Sequence, residues 1–335
     1  MKKRVIPAII ALLLLICFAA CGDSVVSPAP TTTKALKTTT LSTSATTTAK
    51  PTTTLPLTTV VQTVIQTEVE TTKKETTTVQ ATTKPGDGIV ILTPVYYPFD
   101  MTVVATSRHI VYCPLINMGN TYVIDYDLLE KKARSVKNTA ILFCNPHNPV
   151  GKVWSAEELE KVAEICCENG VFIIDDEIHN DLIMPGYEHT VMSNVGDFVL
   201  DNIAICTAPS KTFNLAGLQG SYSVTYNKQM RDKIDKIGST THSNAVSLLT
   251  QEACIGAYTG GAEYVDEMLK YVRKNQELMV DYFNSCEGIS VDLPQGTYVL
   301  WVNFDGLCDN VGVIRDKLRE VGVITTDGRG FHGKT

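Results

Sequence analysis

From Gly86 onward one pattern repeats: a short apolar run, then a stretch whose apolar residues recur at helical spacing. Ile89–Leu92, Ile110–Cys113, Ala140–Cys144, Val171–Asp175, Ile203–Cys206 and Ser221–Thr225 read as strands. Asp127–Val136 reads as a polar helix. Ser155 and Glu158 have the spacing of a capping box. Leu159, Val162, Ala163 and Cys166 then repeat at helical spacing, and Gly170 is the stop. Apolar strands alternating with helices imply an α/β architecture, a mostly parallel sheet covered on both faces. Ligands bind such sheets outside the carboxyl ends of the strands. Asn148, Asp176 and Lys211 all fall just beyond strand ends, which makes them candidate site residues. Later the chain turns mainly helical. Lys228–Ile237, Asn244–Tyr258, Gly261–Cys286 and Val311–Val321 read as helices, with Gly296–Val302 as one more strand.

Before Gly86 the composition is different. Asp23–Pro85 is dominated by threonine, with scattered Pro and Lys and no sustained period. It holds too little apolar surface to offset chain entropy, so it is expected to be a disordered stalk. Residues 1–22 read as a targeting segment, with a basic Lys2-Lys3-Arg4 start and an apolar Ile9–Ala20 run too short for a comfortable membrane span. The net charge of −7 argues against a nucleic-acid partner. Of ten cysteines, Cys144 and Cys206 lie inside apolar runs and Cys166 and Cys167 are adjacent on a helix. That pattern predicts buried free thiols, as in a reducing compartment. No Cys/His metal spacing occurs, so no metal is assigned.

Lys211 follows the apolar run Ile203–Cys206 in Thr207-Ala208-Pro209-Ser210-Lys211. A lysine in a cleft loses solvent, which favours its neutral, nucleophilic amine; one on an open loop is only a surface charge. Asp175 and Asp176 end a buried run, where an acid is either functional or a helix cap. His179 reads equally as a structural histidine, and the Pro-flanked pair Tyr96-Tyr97 as a packed turn.

Taken together, Thr93–Phe99, Asn145–Gly151, Asp176–His179 and Ser210–Gln219 resemble, in order and spacing, the fold type I pyridoxal-phosphate-dependent aminotransferase superfamily. The likeness is greatest to its C–S β-lyase branch and covers roughly residues 84–331. It implies a cofactor-binding large domain in 86–230, then interdomain helices and the start of a small C-terminal α+β domain in 231–335. It implies pyridoxal 5'-phosphate as cofactor, with Lys211 bonding its aldehyde and acting as general base. Asp176 would pair with the ring nitrogen, Asn148 and His179 would face the phenolic oxygen, and Tyr96 would stack on the ring. Ser210, with Thr207, would offer hydroxyls to the phosphate. The Asn148–Pro149 bond is expected to be cis. The implied reaction is β-elimination from a small amino acid, cystathionine or a cysteine S-conjugate, by a homodimer, releasing thiol, pyruvate and ammonia.

Some features depart from the family. Gln219 stands where the wider family has a phosphate-binding arginine. The block the family carries before the equivalent of Gly86 is replaced by the leader and the Thr-rich linker of 23–85. No match to its C-terminal carboxylate-binding arginine is found; Arg329 lies outside that motif. The expectation is therefore a cofactor core truncated at both ends. Phe18-Ala19-Ala20-Cys21-Gly22 resembles a bacterial lipoprotein cleavage site, which predicts a membrane anchor lipidated on Cys21 and an extracytoplasmic location. A mis-joined leader would leave the domain cytoplasmic. Besides the lyase, an aminotransferase and a non-catalytic surface lipoprotein stay open.

Overall fold

The computed structural model describes residues 83–308 and 310–332. The leader, Cys21 and the stalk up to Thr82 lie outside the described residues. In chain order the strands are β1 (Gly88–Thr93), β2 (His109–Pro114), β3 (Ile116–Asn117), β4 (Tyr122–Val123), β5 (Asn138–Cys144), β6 (Phe172–Asp176), β7 (Ile203–Thr207), β8 (Tyr222–Val224), β9 (Ser290–Val291) and β10 (Val302–Asn303). The helices are α1 (Pro98–Ala105), α2 (Tyr126–Ala133), α3 (Ala156–Glu168), α4 (Pro209–Thr212), α5 (Lys228–Thr241), α6 (Leu248–Gly260), α7 (Ala262–Asn284) and α8 (Val311–Glu320).

Six strands form the main sheet in the order β2-β1-β5-β6-β7-β8. Every pairing is parallel except β7 with β8. The mostly parallel sheet expected from the sequence is the one observed. Its two faces bury different sets of side chains, because successive residues of a strand point to opposite sides. One face packs Phe143, Ile173 and Ile205 against Leu129 of α2 and Leu159, Val162 and Cys166 of α3. The other packs Phe172, Cys144 and Ala204 with Phe99 and Val103 of α1, and Met230 of α5 lies against it. Fully buried Trp154, Phe143, Leu159 and Ile173 each contribute on the order of 1.5–3 kcal/mol of apolar transfer.

Helix α3 starts where the capping box requires. The Ser155 hydroxyl accepts from the Glu158 N–H at 3.2 Å, and Glu158 Oε2 accepts from the Ser155 N–H at 2.8 Å. The chain reverses at Gly170, whose φ of +66° lies in the left-handed region.

Two sequence expectations are corrected, and one helix is added. Pro98–Ala105, directly after the Tyr96-Tyr97 pair, is helix α1: Pro98 presets its first turn, and Phe99 and Val103, four apart, share the buried side. Gly296–Val302 is not one strand, and only Val302 joins a ladder, in β10. Thr297 sits at φ +64°, which breaks the extended run, and its N–H goes to the Leu182 carbonyl at 2.7 Å. Helix α5 runs on to Thr241 and α6 begins at Leu248, because His242 turns left-handed at φ +55° and Ser247 caps the Thr250 N–H.

Gly151 joins the two halves of this framework. Its carbonyl accepts from the Gln295 and Gly296 N–H groups at 2.8 and 3.0 Å. Its φ is +70°, and a Cβ there would meet Pro294 Cβ at 2.5 Å. A separate small core gathers Met279 and Phe283 of α7 with Ile289 and Val291 beside the β9–β10 ladder.

Candidate active site

Three strands end in one row. Cys144 of β5 lies opposite Asp176 of β6, and Asp176 lies opposite Cys206 of β7. Asp176 closes this row, and the segments leaving it carry Asn148, Glu177 to His179 and Lys211 of α4, at the strand ends where α/β sheets bind ligands.

Asp176 stands on the α1 face of the sheet, in step with Phe172. One carboxylate oxygen, Oδ1, accepts from the Ile178 N–H at 3.1 Å. Burial pushes its pKa up to about 6, while the Ile178 bond and the charge of Lys211 oppose the rise. His179 is 3% exposed, and burial, then the Lys211 charge, hold its pKa down to about 3. The imidazole is therefore neutral, and its Nδ1 is buried with no hydrogen-bond partner among the described residues. Its ring meets Tyr298 edge-on at 5.7 Å. Burial raises the Tyr298 pKa, and Tyr96 raises it further, which places those two side chains in one environment.

The sequence candidates thus converge by links of different kinds. Lys211 acts electrostatically on both Asp176 and His179. Tyr96 is tied to the Asn148 loop, its N–H donating to the Asn148 carbonyl at 3.1 Å. The Asn148–Pro149 bond is cis as expected, as are Thr93–Pro94 and Asn145–Pro146. Ser210 lies in the same short turn as Lys211, half-buried, its carbonyl accepting from the Leu215 N–H. Thr207 differs from expectation: its hydroxyl donates to the Glu177 carbonyl at 3.1 Å and so joins the end of β7 to the acid loop. Arg329 pairs with Asp327 at 2.6 Å.

Aromatic rings continue outward from this cluster. Tyr96 stands 5.7 Å from Tyr97, Tyr97 meets Phe331 edge-on at 5.7 Å, and Phe331 meets Trp301 at 5.5 Å. The Val95 N–H donates to the Phe331 carbonyl at 3.1 Å, so the segment of residues 328–331 packs beside the Tyr96 loop. Sequence reasoning missed Tyr298, which lay inside the stretch read as a strand. It also missed Asp181 and Thr212, whose side chains meet at 2.9 Å. The only available signal was position: Thr212 lies inside the stretch Ser210–Gln219, and Asp181 two residues beyond Asp176–His179.

A second polar cluster lies on the other face of β6. Asp175 is fully buried, and burial, then Glu177, push its pKa well up. Glu177 accepts from the Met192 N–H at 3.1 Å and stands 3.2 Å from His189 Nε2.

This fold and this constellation are those of a known class of protein. The family model for class I and II aminotransferases matches residues 58–335. The chain belongs to that family, and within it to the C–S β-lyase branch. It is 38% identical over 231 residues to cystathionine beta-lyase PatB of Bacillus subtilis, covering 68% of this chain and 59% of that protein. Protein MalY of Escherichia coli is 32% identical over 225 residues, 66% of this chain and 56% of the relative. Cystalysin of Treponema denticola, whose crystal structure contains pyridoxal 5'-phosphate, superposes with a TM-score of 0.72 at 37% identity, over 76% of this chain and 65% of that one. The chain therefore spans between half and two thirds of the length of these relatives.

Proposed function

We propose that this chain binds pyridoxal 5'-phosphate through Lys211 and eliminates a thiol from cystathionine or a cysteine S-conjugate. The observation that carries the reading is Asp176, a carboxylate at the end of β6 driven up to about 6 by burial and within electrostatic reach of Lys211 just beyond β7. A cationic ring nitrogen beside Asp176 would offset that burial, and the donor set therefore fits the cofactor. When bound, pyridoxal phosphate supplies an electron sink for a carbanion at the substrate Cα.

The chain's own residues then have distinct tasks. Asp176 would hold the ring nitrogen and keep it protonated. The Lys211 amine, freed when the substrate's amino group displaces it from the cofactor, would remove the Cα proton. Tyr96 offers a ring face, Asn148 an amide donor for the ring oxygen, neutral His179 a nearby imidazole, and Ser210 a hydroxyl for the phosphate. As the Cβ–S bond breaks, its electron pair leaves with sulfur, which takes up a proton. The released aminoacrylate adds water and yields pyruvate and ammonia.

The exposed apolar residues Leu248, Leu249 and Ile237 suit a contact with a second copy, which supports a homodimer. The Cys21 segment supports a lipid-anchored, extracytoplasmic protein. The cofactor reading is tested by adding pyridoxal phosphate, reducing with borohydride and mapping the labelled peptide. Label on Lys211 is expected, and none anywhere defeats the reading. Pyruvate and ammonia from cystathionine mark the lyase; transfer of the amino group to an added keto acid marks the transaminase.

A further inference from the structure

We propose that Asp181 and Thr212 form a positioning pair that sets Lys211 against Asp176. The inference rests on the reading that Lys211 carries the cofactor. It begins with a weakness of α4. That helix is a single turn, and Ala208 at its start has no side chain to cap it. Two backbone bonds close it, Phe213 N–H to Pro209 and Leu215 N–H to Ser210, both at 2.9 Å. They fix the turn internally but attach it to nothing that carries the acid.

The attachment comes from the neighbour of Lys211. Thr212 is 1% exposed, and its hydroxyl donates to Asp181 Oδ2 at 2.9 Å. Asp181 is five residues beyond Asp176 on a loop pinned along its length. Asp176 Oδ1 accepts from the Ile178 N–H, the Asn180 N–H goes to Glu177, and the Leu182 N–H goes to His179 at 2.9 Å. The Leu182 carbonyl then accepts from Thr297, beside Tyr298. A third element meets the pair: Asp181 acts electrostatically on Tyr258 of α6, whose ring packs on Phe213 at 5.2 Å. One hydroxyl–carboxylate bond thus joins the lysine turn to the acid loop. Thr207 adds a second strut from the other end of the turn, through the Glu177 carbonyl. Misplacing a reacting group by about 1 Å can cost on the order of a hundredfold in rate, so such a strut has a function beyond stability.

The test uses the full chain with added pyridoxal phosphate. Wild type, Thr212→Val, Thr212→Ser, Asp181→Ala and Asp181→Asn are each reduced with borohydride, and the Lys211 label is quantified by peptide mass spectrometry. The pH midpoint of the cofactor's visible absorption and the thermal midpoint are followed in parallel. Thr212→Val and Asp181→Ala should lower Lys211 labelling at limiting cofactor about tenfold and move the absorption midpoint. Thr212→Ser, which keeps the hydroxyl, should restore both, and Asp181→Asn, which keeps an acceptor, should fall between. Normal labelling and an unmoved absorption midpoint in Thr212→Val and Asp181→Ala overturn the proposal, whatever the thermal midpoint does. So does a folded Thr212→Ser that fails to rescue. If wild type itself takes no label on Lys211, the cofactor reading fails and the pair falls with it.

Discussion

Acid should unfold this protein partly through His147. The residue lies between two cis prolines in the loop that carries Asn148, is fully buried, and stacks edge-on against Trp154 at 5.6 Å. Its Nε2 donates to the Pro94 carbonyl at 2.8 Å, so a neutral ring already makes the bond that ties the Tyr96 loop down. Burial lowers its pKa to about 4, and the bonds to backbone carbonyls only partly oppose this. The folded pKa is thus below the ordinary 6.5. Stability from this residue is fully present above 6.5 and is lost as pH falls through the window down to about 4, because the unfolded chain takes up the proton first. The full window is worth about 3 kcal/mol, and about 2 kcal/mol is already gone near pH 5. His179, held down to about 3, acts in the same direction, whereas Asp176, raised to about 6, opposes both with roughly 1 kcal/mol over the same step. A variant isolates His147 from the others. His147→Gln keeps an amide donor for Pro94 and cannot titrate. Urea unfolding of both proteins near pH 7.5 and near pH 5 should show the variant losing about 2 kcal/mol less than wild type. Identical losses in the two proteins would refute the assignment.

Three further outcomes are expected. Asp176→Ala should leave Lys211 open to borohydride labelling while pyruvate release falls by orders of magnitude, since the ring proton loses its holder; equal release in the variant would remove Asp176 from the mechanism. Gly151→Ala forces a side chain onto a φ of +70° and onto Pro294 at 2.5 Å, so thermal unfolding should show a loss of at least about 1–3 kcal/mol. Cys21→Ala should abolish lipidation and release the protein from the membrane fraction, and unchanged precursor size and fractionation would reject the anchor.

How much of this was legible depends on the length of the signal. Helix α3 was readable because cap, apolar spacing and terminal glycine all agree over thirteen residues. The central strands β1, β5, β6 and β7 were readable because they are largely buried on both faces and so stay mostly apolar. Gly296–Val302 misled for the same reason. Its apolar residues pack into two cores, Leu300 and Val302 onto that of Met279 and Phe283 and Trp301 onto the one that holds Phe143 and Leu159, while Thr297 takes a left-handed turn that no periodicity announces. Helix α1 was hidden because only Phe99 and Val103 face inward, and Met101 and Val104 are left exposed. At the site, motif order identified Lys211, Asp176 and Asn148. It could not supply Tyr298 or the Asp181–Thr212 bond, because those depend on loops meeting across a hundred residues or on one side chain's rotamer.

The pair Asp175-Asp176 shows where local sequence ends and geometry decides. The two acids are adjacent and chemically identical, and a run of apolar residues precedes both. Strand alternation separates them by a whole sheet. Asp176 shares its face with Phe172 and therefore meets Lys211 at the end of the row formed with Cys144 and Cys206. Asp175 shares its face with Ile173, and burial, then Glu177, push its pKa well up. Neither oxygen of that carboxylate has a hydrogen-bond partner among the described residues. A shift of β6 by one residue would exchange the two acids, bringing Asp175 to the site and turning Asp176 into the apolar core beneath α3. That register is fixed by Ile173 and Phe172, each with 3% exposure or less and each committed to a different core. The same packing that stabilises the sheet therefore selects which acid faces Lys211.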